Sequence, residues 1–134
     1  MKLFYNFKKK YNVSIEESGA IDLCSKNIGD NSFNDLSKIK LKIIILDLSS
    51  NKISNISPLK SDNFKYLQKL YLCENEIEDL TCLNNLRLDY LLELKLWANK
   101  IVDITPLKNV IFKKIKILDL SNNKISEIGI LKKT

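Results

Sequence analysis

Residues 43–59 read IIILDLSSNKISNISPL, and the same pattern returns three times: LQKLYLCENEIEDLTCL at 67–83, LLELKLWANKIVDITPL at 91–107 and IKILDLSNNKISEIGIL at 115–131. Asn51, Asn75, Asn99 and Asn123 stand 24 residues apart. Counted from the first Ile or Leu of each copy, positions 1, 4, 6, 11, 14 and 17 are apolar in all four. Position 4 is always Leu (Leu46, Leu70, Leu94, Leu118), and so is position 6 (Leu48, Leu72, Leu96, Leu120). This alternation is the period of a short strand with one buried face. Positions 11 and 14 lie three apart, a spacing that suits a turn or a piece of 3₁₀ helix. One such coil cannot bury its own apolar side. Coils must therefore stack and share a continuous core.

The Asn at position 9 sits where the chain leaves the strand and turns inward. A buried turn leaves backbone groups without partners, and an amide side chain offers both donors and an acceptor to them. Asn51, Asn75, Asn99 and Asn123 are therefore read as a structural ladder. The alternative is four exposed turn residues.

The pattern L-x-x-L-x-L-x-x-N-x-I resembles the leucine-rich repeat superfamily over residues 43–131, and more weakly over 20–36. Within it, N-x-I-x-x-[IL]-x-x-L is similar to the SDS22-like class, which includes a phosphatase regulator, a dynein light chain and a spliceosomal subunit. ISNISPL and IVDITPL also resemble bacterial internalins. Such relatives repeat every 22 residues or so, within the range of about 20–29 for the superfamily. Here the extra two residues fall between position 17 and the next coil, where Phe64, Leu88 and Phe112, all at position 22, are expected to fill the convex side. The resemblance implies an α/β fold: a right-handed solenoid of about five coils, with parallel strands on the concave face and turns or 3₁₀ segments on the convex face.

One domain suffices for 134 residues. Residues 1–18 read as an N-terminal cap, helical around 4–11, because the first face of a solenoid needs covering. A membrane-surface helix is the alternative use of that stretch. Residues 19–42 read as a degenerate first repeat, irregular because Lys26 stands where Asn is expected. Repeats follow at 43–66, 67–90, 91–114 and 115–134, with no C-terminal cap. An open last coil exposing Leu118, Leu120, Ile125, Ile128 and Leu131 suggests a fragment of a longer repeat protein, a last coil that frays, or end-on self-association.

The net charge is +6, from 22 basic and 16 acidic residues, but Arg87 is the only arginine. Arg is the usual reader of guanine edges and phosphates, and the lysines are spread over positions 10, 18, 23 and 24. No specific nucleic-acid binding is expected. No run is long enough to span a membrane, and Lys8–Lys10 interrupt any signal-like core. The expected location is cytoplasmic or nuclear. Cys24 and Cys73 share position 7 two coils apart, about 10 Å at strand spacing. That is beyond disulfide reach, so free thiols are expected, Cys82 included.

Side chains flanking positions 4 and 6 point away from the core, so positions 3, 5 and 7 form columns on the sheet. Column 3 holds Ala20, Ile45, Lys69, Glu93 and Ile117; column 5 holds Asp22, Asp47, Tyr71, Lys95 and Asp119; column 7 holds Cys24, Ser49, Cys73, Trp97 and Ser121. Tyr71 and Trp97 are the candidate anchors for a protein partner, since large aromatics here have no core to fill and such residues dominate interfaces. Ile45, Asp47, Lys69, Glu93, Lys95 and Asp119 would surround them, with Lys69–Glu93 and Lys95–Asp119 either ion pairs or an interface rim. The competing reading is aromatics that merely cover the sheet. Asp22 and Asp47 could stand as close as a retaining glycosidase pair, but a shallow sheet gives them no pocket, and two carboxylates alone make a poor cation site. With no His, no phosphate-binding glycine loop and no C-x-x-C, no catalytic residue, metal site or cofactor is expected. The function expected is protein recognition, in an adaptor of the phosphatase-regulator kind or an internalin-like surface adhesin.

Overall fold

A computed structural model of the chain describes residues 2–126. Helix α1 (Lys2–Tyr11) is followed by strand β1 (Ala20–Asp22) and helix α2 (Asp30–Ser37). Then come strands β2 (Ile45–Asp47), β3 (Lys69–Tyr71), β4 (Arg87–Leu88), β5 (Glu93–Lys95), β6 (Ile111–Phe112) and β7 (Ile117–Asp119). Short 3₁₀ helices at Ser57–Lys60, Thr81–Leu83 and Thr105–Asn109 repeat at positions 15 onward. Pro58 and Pro106 sit in their first turns, where a missing N–H costs nothing.

Strands β1, β2, β3, β5 and β7 form one parallel sheet, each coil adding one strand. The register follows the repeat: Leu46 pairs with Leu70, Leu70 with Leu94, and Leu94 with Leu118. Pairing continues one residue past each strand, as from Leu48 N–H to the Tyr71 carbonyl at 2.8 Å and from Leu72 N–H to the Lys95 carbonyl at 2.9 Å. This is the α/β solenoid with parallel strands on the concave face.

The core is the repeat's own apolar set. Leu46, Leu48, Ile53, Leu67, Leu70, Leu72, Ile77, Leu91, Leu96 and Ile101 are all fully buried. Phe64 and Leu88 are buried at the convex side, and Phe33 of α2 packs on Phe64 with ring centroids 5.9 Å apart.

Each Asn clamps two coils. Asn75 Oδ1 accepts from Ile53 N–H of the preceding coil at 3.0 Å, while its Nδ2 donates to the carbonyls of Leu48, Leu72 and Cys73. Asn51, Asn99 and Asn123 make the corresponding bonds. Asn51 also receives Lys26 N–H at 3.1 Å. Asn51 thus ties the first coil to the second as the later Asn residues tie theirs, although the first coil has Lys26 at position 9.

Three details depart from the sequence reading. The first coil is in register, with Ala20, Ile21 and Asp22 opposite Ile45, Leu46 and Asp47. Gly19 makes that possible: at φ +83° it passes Ile44 so closely that a Cβ would lie 2.7 Å from Ile44 Cγ1. The convex side of this coil is the α-helix α2, in place of a turn or 3₁₀ segment. Further along, the convex side carries a second parallel pair, β4 with β6.

Helix α1 covers the first coil with Phe7 and Tyr11, whose rings are 4.8 Å apart, and the Tyr11 hydroxyl donates to Ser32 Oγ of α2. Leu3 remains exposed. No helix among the described residues is long and apolar enough to cross a membrane. Ile128, Leu131 and the proposed open end of the last coil lie outside the described residues.

Candidate functional site

Register brings the predicted columns together on the sheet. Asp22, Asp47, Tyr71, Lys95 and Asp119 are successive partners, as are Ala20, Ile45, Lys69, Glu93 and Ile117. Ile45, Asp47, Lys69, Tyr71, Glu93, Lys95, Trp97 and Asp119 are all half-buried. Column 7 is less open than its position implies, because Cys73 is buried at 4 % exposure. Burial pushes its thiol pKa up, outweighing the lowering by the Ser49 hydroxyl.

The expected ion pairs are not those that form. Among the described residues neither Lys69–Glu93 nor Lys95–Asp119 approaches within 4.0 Å. Tyr71 intercepts both partners: its hydroxyl donates to Glu93 Oε2, and the Lys95 ammonium lies over its ring, 5.1 Å from the centroid. A long phenol beside shorter acidic neighbours reaches diagonally where a direct cross-strand pair was expected. Burial, then the bond to and charge of Glu93, push the Tyr71 pKa up to about 12, with Asp47 adding to the effect.

The carboxylates of column 5 have a local task that the sequence reading missed. Asp22, Asp47 and Asp119 each accept, through Oδ1, the backbone N–H two residues on, at 2.9–3.0 Å. For Asp119 the Ser121 hydroxyl, donating at 2.6 Å, and then the backbone bond of this Asx turn hold the carboxyl below its ordinary range. The signal was in the sequence as D-x-[CS] at positions 5–7. One oxygen of each of Asp22 and Asp47 is thus committed to the turn. No group of three or more His, Cys, Asp or Glu side chains that could hold a metal occurs among the described residues.

A pocket does exist where the sequence suggested only a shallow sheet. The loop after α1, with Asn12, Ser14 and Glu16, rises beside Asp22, Asp47 and Tyr71 and encloses a groove of about 510 Å³. Cys24, Cys73 and Cys82 are all free thiols.

No protein-family model matches the chain, and no curated protein is similar to it in sequence at significance. Among solved structures it is similar to internalin C2 of Listeria monocytogenes, with 35 % identity and a TM-score of 0.64 over 84 % of this chain and 46 % of that one. It is also similar to the internalin inlF of the same strain, with 28 % identity and a TM-score of 0.52 over 78 % of this chain and 35 % of that one. The chain thus spans less than half the length of these neighbours. The repeat, the sheet register and these likenesses place the chain in the leucine-rich repeat superfamily.

Proposed function

We propose that the chain is a non-catalytic module that binds another protein through its concave sheet. The observation that carries this reading is the half-exposed set in columns 3, 5 and 7, which includes Trp97 and, beside a groove, Tyr71. Trp97 is the anchor of greater weight. Tyr71 is already engaged by Glu93 and Lys95, so its ring is pre-set and costs little entropy to dock. The likeness to internalins supports an interaction module of leucine-rich repeats, whose setting is either that of a cytoplasmic or nuclear adaptor or that of a surface adhesin.

Affinity capture from the native cell extract tests the site. Wild type should retain a protein that the Tyr71→Ala/Trp97→Ala variant loses, with circular dichroism showing that both are folded. Retention of the same protein by both would remove the concave face from consideration. Protease treatment of intact cells separates the two settings: a surface module is digested, whereas an adaptor inside the cell is protected.

A further inference from the structure

The edge where each coil turns from the convex side into its strand carries a second ordered surface. Lys42, Tyr66, Tyr90 and Lys114 are each the last residue of successive coils and form one row. The Tyr66 and Tyr90 rings lie 5.7 Å apart. Lys42 Nζ sits 4.7 Å from the Tyr66 centroid, and Lys114 Nζ 5.4 Å from that of Tyr90. Lys65 adds a second ammonium 5.3 Å from Tyr66. Beside the row, both tyrosines and Asp89 line a groove of about 430 Å³.

Two features select the kind of ligand. Lys42, Lys65 and Lys114 set ammonium groups over the two rings, so the ligand is anionic. Asp89, which lines the groove beside the row, is ion-paired through Oδ2 to Arg87 at 3.1 Å and Lys113 at 3.7 Å, so its charge is already matched and the row's ammonium groups are left for the ligand. An extended acidic peptide brings carboxylates and needs no open ring face. A single-stranded nucleic acid offers backbone acceptors and needs free ring faces for its bases. Here Tyr66 and Tyr90 face each other and the lysines. We propose that this edge docks an extended acidic segment of a partner protein, its carboxylates on Lys42, Lys65 and Lys114. Three coil spacings give the row a length of about 14 Å, or four to five extended residues.

The probe is a fluorescent octaglutamate peptide, read by anisotropy on the full chain and compared with an eight-residue oligothymidylate. Wild type binds the peptide more tightly than the oligonucleotide, and added salt weakens the complex. The variant Lys42→Glu/Lys65→Glu/Lys114→Glu loses about tenfold or more in affinity, as loss of a charge-complementary contact requires. A matched variant, Lys52→Glu/Lys100→Glu/Lys124→Glu, changes net charge equally at the exposed position 10 and loses less than about threefold. Circular dichroism checks that each variant is folded; should the edge triple unfold, Lys114→Ala alone must weaken peptide binding while Lys100→Ala does not. Equal losses in the two triples, preference for the oligonucleotide, or no peptide binding by wild type would each overturn the proposal.

Discussion

The most demanding residue in each coil is the one at position 8. Ser25, Ser50, Glu74, Ala98 and Asn122 all have φ between 53° and 58°, in the left-handed region that L residues enter at a cost of about 1–2 kcal/mol. None is Gly, so nothing at position 8 itself marks a left-handed residue, although the Asn that follows Ser50, Glu74, Ala98 and Asn122 marks the turn. The conformation is imposed by the bonds on either side: Ala98 N–H reaches the Ser121 carbonyl at 3.0 Å, while Asn99 fixes the next residue. Ala98→Gly should therefore stabilise the fold. Release from the left-handed penalty outweighs the extra freedom of glycine in the unfolded chain, leaving a gain of about 0.5–1 kcal/mol. Asn122→Gly at the same position should change stability far less, because Asn tolerates this region. Urea denaturation of the two variants beside wild type makes the comparison.

At the scale of the element, the coil was legible wherever burial alone decides. Leu46, Leu48 and Ile53 and their copies in the repeats at 67–90 and 91–114 had to be buried whatever the turns did, and the register follows from them. The columns of the candidate site were legible for the same reason. What was not legible depended on polar side chains choosing among neighbours. Phe33 and Leu36 are three apart, a spacing that α- and 3₁₀-helix share, so α2 could not be told from a turn. Tyr71, Glu93 and Lys95 were placed correctly, but which of them pair is a matter of reach. Asp30 shows what such a choice contributes. At the start of α2 it accepts Ser54 N–H at 2.8 Å, Asn55 N–H at 2.9 Å and the Ser54 hydroxyl at 2.7 Å, tying the helix to the next coil. Burial pushes its carboxyl pKa up, but these bonds together outweigh that and hold it below the ordinary value of 3.8. The unfolded chain thus binds this proton at higher pH than the folded one. The stabilisation is fully present above pH 3.8 and is lost as pH falls through the lower folded value. Asp30→Asn keeps the shape and removes the titration. Wild type should exceed it by about 1 kcal/mol near neutrality, and the gap should narrow as pH falls below 3.8 in denaturation series.

At the scale of the whole molecule, a stack in which each coil touches only its neighbours has a stability that depends on place along the axis. Position 4 measures this directly, because its Leu is the same in every repeat while its surroundings change. Leu46 and Leu70 are fully buried, Leu94 is 2 % exposed, and Leu118 is 43 % exposed. Leu70→Ala removes a side chain enclosed by coils on both sides and should cost about 3 kcal/mol, the transfer and cavity contributions together. Leu118→Ala removes one that water already reaches and should cost less than about 1.5 kcal/mol. The two variants should also differ in kind. A cavity at Leu70 weakens contacts that hold both halves of the stack, so the whole unfolding transition should move to lower urea with an unchanged slope. Loss at Leu118 should act on opening of the β7 coil, seen as faster amide exchange at Leu96 and Ala98, whose N–H groups bond to the Asp119 and Ser121 carbonyls. Protection at Leu48 and Leu72 should hardly change. Equal costs at the two leucines, with exchange altered uniformly from β1 to β7, would mean that the five coils open as a single unit and that position along the axis has no influence on stability.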